Sequence, residues 1–300
     1  MLLSIVLALI SALSYGVSDF LGGRAASRFG VARGTTLVYL FGTVAVGVAF
    51  LIGGGTWDSA TVLSGSVAGV CTIIGMVSFY AAMAAGPMSL VSPLIAVVSD
   101  VVPVTVAIAR GAQLSAVAWV AVGLAVVSAL LISAQRSQHH VRIKARTVVI
   151  ALVSGLTLGT AVVSLDLAPV SGGLTPAFLD MFVGLVLISA VFGLGFVSRP
   201  VRLALAGLDA DGETSHSQHL SRRNAAWMVV VGGVLLGATN AVLLIALHIG
   251  DLAVVSVIMG IYPLGTIVLA RLVLKERMSA VQTSGAGLAL VATAILALAT

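Results

Sequence analysis

Asp100 stands alone in the stretch "PLIAVVSDVVPVTVAIA", residues 93–109, which is otherwise apolar almost throughout. A proline lies on each side of it, Pro93 and Pro103. An ionised carboxylate held in hydrocarbon costs at least about 3 kcal/mol on insertion scales. Asp100 is therefore expected to face a bundle interior or a water-filled cavity. There its carboxyl could load and release a proton during transport, or hold the ammonium group of a solute. A structural role is open beside this one. Pro103 frees a backbone acceptor and bends a helix, and Ser99 or Asp100 could cap the second half of a broken span. Broken helices line transporter sites, so the two readings are compatible.

A few more polar side chains fall inside apolar runs. Tyr262 precedes Pro263, a second helix-bending proline, and its hydroxyl could reach the same cavity. Asn240 carries an amide that needs a partner inside protein. Tyr15 and Tyr80 either line a pathway or anchor the chain at the membrane interface. The candidates for substrate binding or coupling are thus Asp100, Ser99, Tyr262, Asn240, Tyr15 and Tyr80, with Pro93, Pro103 and Pro263 as helix breaks. Asp19 is expected to pair with Arg24, Asp180 to face an outer vestibule, and Glu276 to make local ion pairs. No catalytic set emerges. His139, His140, His216 and His219 fall on one side of the membrane but lack carboxylate or thiol partners at fixed spacing, so they read as solvated loop histidines and not as a metal site.

Elements that hold these residues follow from composition. Of 300 residues, 60% are hydrophobic and only 8% charged, and the mean hydropathy is +1.20. About a quarter of the residues of a soluble domain are charged, so lipid is the main solvent here. A net charge of +5 and a pI near 10 reflect basic residues in short loops, a matter of topology and not of nucleic-acid binding. The lone cysteine, Cys71, permits no disulfide within the chain.

Ten runs are long enough to span: 2–21, 34–53, 61–84, 89–109, 115–134, 147–168, 174–197, 225–248, 252–274 and 279–298. The first lacks a basic stretch before it and a clear cleavage site, and is expected to stay as a helix. The loops after the odd-numbered spans hold 14 of the 15 Lys and Arg residues, and the opposite side holds only Arg110. Basic loops remain cytoplasmic, so both chain ends are expected outside, in a bacterial cytoplasmic membrane. The longest loop, 198–224, reads as a flexible cytoplasmic connector.

The chain also repeats itself. Shifted by 164 positions, Gly86 meets Gly250, Val91–Ser92 meets Val255–Ser256, Ser115–Val117 meets Ser279–Val281, and Gly69 meets Gly233. A shift of 143 brings "SALSYG" (Ser11–Gly16) onto "SGLTLG" (Ser154–Gly159). Two copies of five spans result, residues 1–135 and 147–300, joined by a cytoplasmic linker 136–146. Because five is odd, the second copy crosses the membrane in the opposite sense. The expected fold class is an all-α membrane protein built as two inverted five-helix repeats, a device of secondary transporters. Glycines four apart, Gly65–Gly69, Gly155–Gly159 and Gly233–Gly237, read as packing contacts.

"YAAMAAGPMSLVSPLIAVVSDVVPV" (80–104) and "LARLVLKERMSAVQTSGAGLALVATAIL" (269–296) resemble the corresponding stretches of EamA-type proteins of the drug/metabolite transporter superfamily. Repeat 1 departs from that pattern, with Ala112 at the position of Glu276. The resemblance implies export or exchange of a small metabolite such as an amino acid or related compound, by a monomer or homodimer in the lipid bilayer. No phosphate-binding glycine loop, His-Glu-x-x-His or Gly-x-Ser-x-Gly occurs, so neither ATP drive, enzyme chemistry nor a cofactor is expected. A passive channel is the alternative, but no ring of charges or filter-like run supports it. Alkaline phosphatase fused at either chain end is expected to be active outside the membrane, and activity at only one end would break the five-plus-five count.

Overall fold

The computed structural model describes residues 2–111, 116–117, 119–120, 123–124, 127, 131, 145–209, 220–260, 262–274 and 280–299. Ala112, the four loop histidines, Glu276, most of the expected fifth span and most of the linker lie outside the described residues.

Every regular element among the described residues is helical. They are α1 (Leu2–Phe29), α2 (Val31–Gly53), α3 (Ser59–Ala85), α4 (Met88–Ala109), α5 (Ala145–Asp166), α6 (Thr175–Val197), α7 (Arg199–Asp209), α8 (Arg222–Ile249), α9 (Leu252–Met259), α10 (Pro263–Val273) and α11 (Ala280–Ala299). A 3-10 turn, Val170–Gly172, precedes α6. α1, α2, α3, α5, α6 and α8 are long and apolar enough to cross a membrane, and Leu94–Ala109 and α10 are shorter apolar helices. Lipid offers no partner to a free N–H or C=O, so such runs close their backbone bonds within themselves. Outward positions such as Val44, Val48 and Leu63 leave large aliphatic side chains exposed, as a lipid-facing surface requires.

Four boundaries differ from the sequence expectation. α1 continues past residue 21 through Gly22, Gly23 and a buried Arg24, and turns only at Gly30, whose φ of 87° suits glycine. Gly22 is not a breaker because the Tyr80 ring occupies the space that a Cβ would need. Within 198–224, expected as a flexible connector, residues 199–209 form α7. Val201, Leu205 and Leu208 share its half-buried face, and Arg146 Nη2 donates to the Gly207 carbonyl at 2.9 Å.

α4 runs unbroken through Pro93 and Pro103, so neither proline is the helix break expected of it. Pro103 cannot donate to the Ser99 carbonyl, but Gly159 brings α5 directly against that oxygen and covers it. Pro93 likewise removes one bond, in the second turn, and the helix continues past both prolines. The run 252–274, by contrast, is interrupted between α9 and α10. Gly260 N donates to Ser256 O at 3.1 Å and Tyr262 N to Met259 O at 2.9 Å across the break, and Pro263 opens α10.

Packing is dominated by backbone-close contacts. α8 lies on α1 and α2, while α3 lies on α5 and α6. α4 packs on α5, and α1 on α9 and α10. A Cβ on Gly233 would meet the Val38 carbonyl at 2.5 Å, and one on Gly155 would meet Val98 Cβ at 2.5 Å. Gly65 and Gly69 face the backbone of α6 at Pro176 and Asp180. Hydroxyls stitch the same pairs. Ser18 Oγ donates to Gly232 O at 2.8 Å, Ser154 Oγ to Gly75 O at 2.9 Å, and Thr266 Oγ1 to Gly16 O at 3.0 Å.

Both ends of the bundle are tied. At one, Arg28 Nε donates to Leu220 O at 3.2 Å. At the other, Arg110 pairs with Asp166 at 2.7 Å, and Asp58 caps α3 by accepting from Thr61 N at 2.9 Å. Hydrogen bonds from Thr61 and Thr56 hold the Asp58 carboxyl down at about 2. Gly237→Leu, which would drive a side chain into Gly42 of α2, is expected to destabilise the fold by about 1–3 kcal/mol or more. Gly287→Leu, with open space around it, is expected to melt like the parent in detergent. Equal melting of the two variants would contradict the packing described.

Candidate functional site

Where α1, α3, α4, α5, α6, α8 and the α9–α10 break meet, the helices diverge around a cavity of about 780 Å³, its mouth included. Five of the six sequence candidates line it: Asp100, Ser99, Tyr262, Asn240 and Tyr15. Tyr80 does not. It is fully buried, edge-on to Phe79 with ring centroids 5.7 Å apart, and its hydroxyl end lies against Gly22. Among the prolines, Pro103 lines the cavity, Pro263 is buried at the start of α10, and the side chain of Pro93 lies outside the described residues.

Four lining residues escaped the sequence reading: Asp19, Asp180, Thr72 and Ser256. Asp19, expected to pair with Arg24, also lines the cavity, and Asp180 lies within the bundle at 1% exposure, where an outer vestibule was expected. Tyr15 and Asp19 are one turn apart on α1, a spacing that puts both on one helix face. Asp19 and Asp180 also stand in apolar runs, and the argument applied to Asp100 extends to them.

The polar groups have a definite arrangement. Asn240 Nδ2 donates to Asp180 Oδ2, and the Thr72 hydroxyl also hydrogen-bonds the Asp180 carboxyl. The other oxygens of this pair, Asp180 Oδ1 and Asn240 Oδ1, are buried with no partner among the described residues. Ser256 Oγ is in the same condition. Tyr262 Oη donates to the Ser92 carbonyl at 3.4 Å, a long bond. Ser99 Oγ turns back to the Ala96 carbonyl at 2.9 Å and so serves its own helix. The charges of Asp180 and Asp19 both bear on Tyr15, and those of Asp19 and Asp100 both bear on Tyr262. Asp19 and Asp180 are buried, whereas Asp100 is half-buried and opens to the cavity. Among the described residues no Lys, Arg or His lines it.

The two repeat registers meet at this wall. Under the shift of 143, Tyr15 matches Leu158 and Asp19 matches Val162. Under the shift of 164, Thr72 matches Leu236, Met76 matches Asn240, and Phe79 matches Leu243. All ten residues line the cavity. In each pair except Phe79–Leu243, one member is polar or acidic and its counterpart is apolar. Corresponding positions thus face the same space with different chemistry. Among the described residues, no group of three or more His, Cys, Asp or Glu is placed to hold a metal ion.

A family model described as the EamA-like transporter family matches residues 145–298. A solved crystal structure, described only as that of a protein, covers 98% of this chain and 96% of its own length. Its TM-score is 0.61 at 14% identity, a likeness of fold alone. No curated protein matches. Asp180→Ala and Asn240→Ala each strand a buried partner, so each is expected to cost about 1–3 kcal/mol. The double variant should cost less than the sum of the two in detergent melting, and strict additivity would mean that the pair is not coupled.

Proposed function

The chain belongs to the EamA-like transporter family of the drug/metabolite transporter superfamily, and we propose that it is a secondary active transporter. Its cargo is a small metabolite, such as an amino acid or a related compound, which it exports or exchanges by alternating access. Members of the family are membrane transporters and not enzymes.

The observation that carries this reading is the cavity wall built from matched positions of the two halves. A site at the junction of two similar halves is reached from either face when one half adopts the conformation of the other. In this reading the ten spans form two inverted five-helix repeats, 1–135 and 147–300, around linker 136–146, with both chain ends outside a bacterial cytoplasmic membrane. The reciprocal contacts support it. α8 lies on α1 as α3 lies on α5, and α8 lies on α2 as α3 lies on α6. Gly16 covers the Tyr262 carbonyl as Gly159 covers that of Ser99.

Asp100 is the coupling group in this proposal. It is the most open of the three cavity acids, on a continuous helix that packs against the interrupted α9–α10 segment. Tyr15, Asp19, Asp180 and Tyr262 are the other titratable groups of the same wall. A proton on Asp100 removes the charge that a bound cation or its own return through the bundle would otherwise meet. Break residues 260–262 supply the bend about which α9 and α10 re-aim.

Purified protein in liposomes is expected to show saturable counterflow of its solute, driven by an imposed proton gradient and without single-channel currents. Asp100→Asn should lower the gradient-driven rate by at least about tenfold, a loss of roughly 1.4 kcal/mol. A mutant with full and equally gradient-dependent flux would remove Asp100 from coupling, and channel currents would replace the transporter with a pore.

A further inference from the structure

We infer that the cavity receives a protonated amine that still carries N–H bonds, on an apolar body and without a carboxylate, and that Asp180 and Asn240 hold its ammonium group. The inference deepens the transporter reading above and rests on it for the direction of use, though binding itself does not depend on it.

The first argument is one of unmet acceptors. Asp180 Oδ1 and Asn240 Oδ1 are both buried, at residue exposures of 1%, and neither has a hydrogen-bond partner among the described residues. The bond between Asn240 Nδ2 and Asp180 Oδ2 fixes the two side chains relative to each other, so the free oxygens form one preset acceptor pair. A carboxylate oxygen and an amide carbonyl only accept, and a buried acceptor left empty is costly. What completes the pair must donate from more than one hydrogen. A primary or secondary ammonium does so. A quaternary ammonium carries the same charge but no N–H, and cannot.

The second argument is one of charge. Asp19, Asp100 and Asp180 share the cavity, and among the described residues no Lys, Arg or His lines it. A cation is attracted by this wall. An amino acid would bring its own carboxylate into a space with three acids and no basic partner, and such a wall selects against it. The third argument is one of shape. Met76, Phe79, Met181, Leu236 and Leu243 make the rest of the lining apolar, which suits a hydrocarbon or aromatic body behind the polar head. Within the range expected for the family, this favours decarboxylated, amine-type relatives of amino acids over amino acids themselves.

Three compounds with one body separate the possibilities: phenethylamine, its N,N,N-trimethyl analogue and phenylalanine. Binding of each to the purified full-length protein is measured by isothermal titration calorimetry. Phenethylamine is expected to bind at least about tenfold more tightly than either of the others, because a site built to receive N–H donors rejects analogues that lack them. Asp180→Asn should weaken phenethylamine by a similar factor and narrow its advantage over phenylalanine. The wild-type series decides the matter even if that variant folds poorly. Equal or tighter binding of phenylalanine or of the trimethyl compound, or no binding of the amine, overturns the inference. Counterflow of the same compounds in liposomes tests the other reading separately. Selective amine binding without flux would uphold the site and overturn transport. Flux of phenylalanine but not of the amine would do the reverse.

Discussion

A carbonyl oxygen in the middle of a lipid-embedded bundle must face something, and here two such oxygens face glycine. Pro103 leaves the Ser99 carbonyl without its usual helical donor, and Gly159 covers it. The Tyr262 carbonyl, at the break between α9 and α10, accepts from Gly265 N at 3.2 Å and is also covered by Gly16. At each glycine the position that a Cβ would take points at the oxygen, so a Cα hydrogen lies there instead, a weak but favourable contact. Any larger residue would push α1 away from α10, or α5 away from α4. The approach of these helices depends on the two glycines, and the shape of the space beside them depends on that approach. Tyr15 and Leu158 each sit one residue before these glycines and look into the cavity.

Close contact at the glycines and divergence at the cavity are two outcomes of one geometry. Gly233 and Gly237 press α8 onto α2, while Leu236, Asn240 and Leu243 on the same helix line the cavity. On α3, Gly65 and Gly69 press onto α6, and Thr72, Met76 and Phe79 line the opposite wall. Each helix spends its small residues on one stretch and its larger ones on the next. The wall therefore has a fixed outline even though few hydrogen bonds cross it, and the Asp180–Asn240 bond is the main polar tie between helices there.

Much of this was legible from residue types. The lone acid at Asp100, the glycines four apart and the two shift registers all lead to the cavity or to the contacts that frame it. Four things were not legible, each for a physical reason. Gly22 and Gly23 look like a turn, but tertiary packing of Tyr80 against Gly22 keeps α1 helical, and local propensity yields to it. Pro103 looks like a break, but whether a freed carbonyl bends its helix depends on what covers it, and Gly159 lies 56 positions further on. Asp19 and Asp180 look peripheral because hydropathy reports distance along a helix. The face a side chain presents is decided by neighbours remote in sequence. The helix α7 was hidden for a related cause: its short polar flanks resemble a loop, and only Val201, Leu205 and Leu208 at helical spacing mark it.

The asymmetry of the cavity is what gives it a chemistry. A wall that was identical in both halves would offer each polar group twice, in opposed orientations, and a single solute could satisfy only one set. Here several polar groups have an apolar counterpart: Asp19 faces the space that Val162 shares, Thr72 that of Leu236, and Asn240 that of Met76, whereas Ser256 keeps a serine, Ser92, at the matching position. In the proposed reading the two sequence registers supply matched positions around the space, and substitution on that common frame gives what lies between them a unique orientation. The same division appears in the fourth and ninth spans. α4 stays continuous through Pro103 and carries the half-buried Asp100, while its counterpart breaks at residues 260–262 and carries Tyr262 and Ser256. One side offers a continuous helix that carries a carboxyl, and the other an interrupted one that carries Tyr262 and Ser256.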